Sequence, residues 1–130
     1  MIVLDAGVLI GHLRSDDAFH RAATEFLEAN EEFDWGLSCM TLAECLVTAA
    51  REGRGVSVLG TLERLEILPL DLTRRDTLGL AEVRAATGLR MPDAIVVYTA
   101  EAHGSELVTT DRALARAAES RGVTAHLLEA

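Results

Sequence analysis

The sequence predicts an α/β protein of three layers, α/β/α, built on a central, mostly parallel sheet of four to five strands. Two observations carry that prediction. Short apolar stretches of strand length alternate with segments of helical period along the whole chain, the pattern that gives a parallel sheet with helices on both faces. Two of those strands, Ile2-Val3-Leu4 and Leu107-Val108-Thr109, run into an acid, Asp5 or Asp111, where the next helix opens. In open parallel sheets the site lies outside the carboxyl ends of the strands, where strand order reverses. Asp5 and Asp111 are therefore expected at that end of the sheet.

The elements follow in order. Ile2 to Leu4 reads as a short buried strand and Ala6 to Leu13 as a helix. Asp16 to Glu32 reads as a longer helix, with Phe19, Ala22, Ala23, Phe26 and Leu27 at helical spacing. Asp34 to Ser38 alternates as a second strand, Met40 to Arg51 is helical, and Gly53-Arg54-Gly55 closes it. Val56 to Glu66 repeats the amphipathic pattern. Ile67 to Leu70 is a short strand whose Pro69 assigns it to an edge. Thr73 to Thr87 is a helix stopped by Gly88, and Pro92 opens another, Asp93 to His103, apolar nearly all round and so buried. Glu106 to Thr109 is a strand, Asp111 to Ser120 a helix ended by Gly122, and Val123 to Leu128 a last strand.

The 130 residues suit one domain, 1–130, with a sizeable core. Hydrophobic residues make up 49% and the mean hydropathy is +0.20, which hints at apolar surface covered by a second copy. The start lacks the basic residues of a secretory signal, and no uncharged apolar run nears the roughly 18 residues of a membrane span, so a soluble cytoplasmic protein is expected. Cys39 and Cys45 form no CxxC or Cys/His cluster and read as buried apolar residues. All twelve basic residues are Arg. Without a lysine, P-loop and Schiff-base chemistry are excluded. The net charge of −9 argues against an open, non-specific polyanion binder, though not against a metal-assisted one.

Four carboxylates stand out. Taken singly, Asp5 and Asp111 suit helix N-caps, and Asp93 suits a first helical turn, where the macrodipole favours an acid. Glu44 is the lone charge of Met40 to Ala50; a capping box with Thr41 is the structural alternative, and a buried, unpaired carboxylate there needs a partner. Taken together they need a cation, because two carboxylates about 4 Å apart repel by roughly 4 kcal/mol at an effective dielectric of 20. An all-oxygen set selects a hard ion, Mg²⁺ or Mn²⁺. His12, His20, His103 and His126 show no ligand spacing.

The order Ile2-Val3-Leu4-Asp5, Thr41-Leu42-Ala43-Glu44, Met91-Pro92-Asp93-Ala94 and Leu107-Val108-Thr109-Thr110-Asp111-Arg112 resembles the PIN-domain family, and more narrowly the VapC-like toxins of bacterial toxin–antitoxin pairs. The resemblance spans essentially the whole chain. It implies a Mg²⁺- or Mn²⁺-dependent endoribonuclease in which Asp5, Glu44, Asp93 and Asp111 are the catalytic, metal-holding acids and Thr109 is a supporting threonine. It further implies an RNA substrate, a homodimer, and inhibition by a cognate antitoxin, a small DNA-binding protein with a basic tail. Two positions depart from the family: Gly7 stands where it usually has Ser, Thr or Asn, and no further acid closely follows Asp111. Two other readings stay open, a non-catalytic PIN-like binding module and a Mg²⁺-dependent phosphohydrolase.

Overall fold

The computed structural model describes residues 1–130. Five strands form one all-parallel sheet: β1 (Ile2–Leu4), β2 (Trp35–Leu37), β3 (Leu68–Pro69), β4 (Glu106–Thr109) and β5 (Ala125–Leu127), in the order β3-β2-β1-β4-β5. Side chains alternate across a strand. Ile2 and Leu4 therefore enter a core shared with helices α1 (Ala6–Leu13), α2 (His20–Ala29), α3 (Cys39–Arg51) and α4 (Gly55–Glu63). Val3 faces the opposite way, into a second core with α5 (Thr77–Thr87), α6 (Met91–Ala102) and α7 (Arg112–Ser120). Two cores on one sheet make the three layers.

The strand order reverses between β1 and β4. From β1 the chain steps through β2 to β3 on one side, then returns past β1 to lay down β4 and β5 on the other. Leu4 pairs with Val108, so the residues that follow these strands emerge side by side. The Asp5 amide still donates to the Val108 carbonyl at 3.1 Å before the ladder ends. Helix α6 packs against β1 and β4 with Ala94, Ile95, Val96, Val97, Thr99 and Ala100 buried, as its nearly all-round apolar pattern predicted. At the far edge Leu68 and Pro69 are exposed and pair with β2 alone, which suits a residue lacking an amide donor.

Several boundaries differ from expectation, each for a local reason. Helix α2 begins at His20, not Asp16, because the Asp17 carboxylate accepts from the Phe19 amide and holds a turn there. The expected helix Thr73 to Thr87 is split: Thr73 and Asp76 form a capping box around a 3-10 turn, Arg74–Asp76, and α5 starts after it. Helix α3 begins at Cys39, capped by Ser38, whose side chain accepts from the Thr41 amide at 3.2 Å. Thr41 is thus inside the helix, and the Thr41–Glu44 capping box does not form. Cys39, expected to be buried, is exposed in that first turn, whereas Cys45 is buried. Gly88 ends α5 at φ 69°, a conformation costly for residues with a Cβ.

Candidate functional site

Asp5 leaves β1 in an extended conformation and caps α1, its Oδ1 accepting from the Ala6 amide at 2.8 Å. Its other oxygen, Oδ2, accepts from the Thr109 hydroxyl at 2.6 Å. Thr109 ends β4 and is fully buried. The same hydroxyl oxygen accepts from the Asp111 amide at 3.0 Å, so one side chain uses its single donor on one strand-end acid and an acceptor on the other. Asp111 then caps α7, its Oδ1 taking the amides of Ala113 at 2.8 Å and Leu114 at 3.1 Å. Both acids are N-caps, and both are tied to the same threonine, Asp5 through its carboxylate and Asp111 through its backbone amide.

The other two acids come from the helix layers. Asp93 is the third residue of α6, half-buried, with neither carboxylate oxygen in a side-chain hydrogen bond. Glu44 lies in the second turn of α3 and is exposed. The burial expected from its apolar neighbours does not occur, because Thr41, Cys45 and Ala49 form the buried face of α3 and Glu44 lies off it.

Electrostatics joins the four. Partial burial pushes the Asp5 carboxyl above its ordinary value; the Thr109 and Ala6 bonds pull it back, and the charges of Asp93 and Asp111 raise it further. Glu44 is raised by desolvation first, then by Asp5 and Asp93, and Asp93 by desolvation and Asp111. Arg90, the residue capping the start of α6, is the cation that opposes both of the latter shifts. The four acids therefore share one field. They do not close to coordination distance, since no three His, Cys, Asp or Glu side chains stand close enough to hold an ion.

The donor set has a definite chemical character nonetheless. Cys45, next to Glu44, has its thiol pushed up to about 12, by burial before the neighbouring acids, so it stays protonated and offers no thiolate ligand. Three of the four histidines are engaged elsewhere, His12 with Thr24, His20 with the Gly11 carbonyl and His126 with Glu106, and the fourth, His103, stands at the C-terminal end of α6, away from Asp93. What remains is oxygen with excess negative charge, a set that fits a hard divalent cation. An apolar recess between α3, α4 and β3, lined by Leu37, Leu42, Leu62 and Ile67, includes none of the four acids. Sequence reasoning missed Arg90, although it directly precedes the Met91-Pro92-Asp93 motif.

The sequence model of the family described as PIN domain matches residues 2–120. The chain belongs to the PIN-domain family. Solved structures agree in fold. FitAcB from Neisseria gonorrhoeae is 26% identical, with 96% of each chain covered and a TM-score of 0.67. VapBC2 from Rickettsia felis, bound to a DNA fragment from their promoter, is 15% identical over 99% of this chain and 100% of that one, with a TM-score of 0.78. VapC20 from Mycobacterium tuberculosis, described as a sarcin-ricin loop cleaving toxin, is 16% identical over 90% and 95%, with a TM-score of 0.74. No curated protein matches this PIN domain in sequence.

Proposed function

We propose that this PIN domain is a Mg²⁺- or Mn²⁺-dependent endoribonuclease and the toxin of a toxin–antitoxin pair. The observation that carries the reading is the set of four acids at the β1/β4 switch point, three of them held above their ordinary pKa values by burial first and then by the charge of at least one other acid of the set. Ionised together, these acids oppose one another, and a bound cation would relieve that opposition. Asp5, Glu44, Asp93 and Asp111 would hold that ion. When bound, it supplies Lewis-acid polarisation of a phosphoryl oxygen and a water acidic enough to attack near neutral pH.

The chain's own residues divide the work. Asp5 and Asp111 are pre-oriented, because Thr109 and the Ala6 amide fix the Asp5 carboxylate and the α7 amides fix that of Asp111 before any ligand arrives. Asp93 and Glu44, free of side-chain bonds, are the pair able to turn towards the ion. RNA as substrate is favoured by the cleavage ascribed to VapC20, and an antitoxin partner by the toxin–antitoxin complexes among the similar structures. The −9 charge suits a basic inhibitory segment of such a partner. No helix is long and apolar enough to cross a membrane; a cytoplasmic site of action and a homodimer complete the proposal.

The test is Mn²⁺-dependent cleavage of structured RNAs by metal-stripped, reloaded protein. Asp93→Asn should remove cleavage and leave the fold intact; cleavage at the wild-type rate in that variant would overturn the reading. A short adjacent reading frame for a small DNA-binding protein would support the toxin role.

A further inference from the structure

We propose that Arg90 contacts the substrate, its guanidinium binding a phosphate of the RNA strand beside the ion that the four acids hold. This rests on the metal-dependent ribonuclease reading above. Arg90 is the N-cap of α6, and Asp93 is the third residue of the same helix. Residues at those two positions lie side by side at a helix start, close enough for the reciprocal bonds of a capping box. Helix α3, which carries Glu44, packs on α6.

The chain holds Arg90 in place from both sides. Before it, the Gly88 amide donates to the Arg84 carbonyl at 2.9 Å and the Leu89 amide to the Thr87 hydroxyl at 3.3 Å; after it, the Ala94 amide donates to the Arg90 carbonyl at 2.9 Å. The side chain is nevertheless uncommitted. It is exposed and makes neither an ion pair nor a hydrogen bond, whereas Arg112, the arginine next to Asp111, is tied to Glu129 at 2.9 Å. Burial first, and then other acids of the set, push the Glu44 and Asp93 carboxyls up, and at both it is the Arg90 charge that opposes them. The guanidinium thus lies in the field of an acid from each helix without closing on either.

An anionic strand needs such a group here. The protein carries a net charge of −9, and the acids of the site themselves repel a phosphate. A guanidinium stays charged and presents its donors in a planar fork that matches phosphate oxygens in pairs. With the acids balanced by an ion, Arg90 is left with no competing anion.

Arg90→Gln and Arg90→Lys are compared with wild type, and Arg21→Gln on α2 is the control that removes the same charge away from the site. Mn²⁺ affinity is measured by calorimetry on metal-stripped protein, and kcat/KM is measured across a range of KCl on a structured RNA that wild type cleaves. Arg90→Gln should bind Mn²⁺ severalfold more tightly, because a like charge beside the ion is gone. It should nonetheless lower kcat/KM by about ten- to a hundredfold, the scale of a hydrogen bond to a charged group. The fall of log kcat/KM with log salt should become shallower by about 0.7 to 1. Arg90→Lys should keep most of that slope and recover part of the rate, since it restores the charge without the fork. Arg21→Gln should match wild type. An unchanged salt slope in Arg90→Gln overturns the inference, as does weaker Mn²⁺ binding in that variant, which would make Arg90 a support of the ion and not of the strand. An equal effect of Arg21→Gln, or a drop in metal-free melting temperature in both Arg90 variants, overturns it too. If wild type cleaves the RNA, Asp93→Asn does not and Arg90→Gln matches wild type, only the role of Arg90 falls; if wild type cleaves no structured RNA with Mn²⁺, the ribonuclease reading falls and takes this inference with it.

Discussion

The acids at the strand ends and the acids on the helices are built on opposite principles. Asp5 and Asp111 each close a helix N-terminus and share the Thr109 hydroxyl, so they belong to the scaffold as much as to the site. Glu44 and Asp93 ride on α3 and α6, contribute no bond to either helix, and meet the others only through charge. Mutations in the first pair therefore mix folding with function, and mutations in the second test function without loosening the fold.

That contrast can be broken most directly at Asp93. Asp93→Asn should lower RNA cleavage by more than about a hundredfold, beyond the range for groups that only orient a site, with no loss of metal-free stability. A parallel drop in melting temperature would show that Asp93 is structural too, and the distinction between the pairs would fail. Glu44→Gln should behave in the same way.

Thr109→Val tests the scaffold side. It removes the donor to Asp5 Oδ2 and the acceptor of the Asp111 amide at a fully buried position. Unpaired buried groups cost about 1–3 kcal/mol each, and partial exposure of Asp5 and Asp111 puts the total near the lower end, about 2 kcal/mol. A denaturant titration should show that loss before any metal is added. Asp111→Ala should cost less, about 1 kcal/mol, because it forfeits the cap of α7 without orphaning a buried hydroxyl. Stability unchanged in both variants would place the strand-end acids with Glu44 and Asp93.

The fold was readable because the two faces of β1 and β4 and the all-round apolar α6 leave one arrangement that buries them all. Boundaries were less so. Asp17 and Asp76 each make local side-chain bonds that compete with a helix, and such competition is not visible in hydrophobic period. The four acids could be named from their motifs, but not their states: Glu44 looked buried among apolar residues and is exposed, since a helix face is set by what packs against it. The closeness of Gly7 and Thr110 could not be found at all from spacing. A Cβ on Gly7 would lie 2.7 Å from the Thr110 Oγ1, a closeness between residues 103 positions apart that follows from the β1–β4 pairing.

The smallest effect, and the one that sharpens the contrast furthest, is in the pH dependence. Asp5, Glu44 and Asp93 all have folded-state pKa values above their ordinary ones, 3.8 for the aspartates and 4.5 for the glutamate. The folded protein then binds protons more tightly than the unfolded chain at these groups. Their contribution to stability is present in full below the ordinary values and is lost as pH rises through the raised ones. Asp93→Asn removes one such group. Below about pH 4 its metal-free melting temperature should therefore differ from that of wild type by a constant offset, and above that the variant should gain on wild type as pH rises. Saturating Mn²⁺ should reverse the order near neutral pH, because the ion needs the ionised carboxylate that the variant lacks. An offset that stays the same across the mildly acidic range would mean that burial and the charge of Asp111 together leave no net mark on Asp93, and that the helix acids and strand-end acids are separate sets.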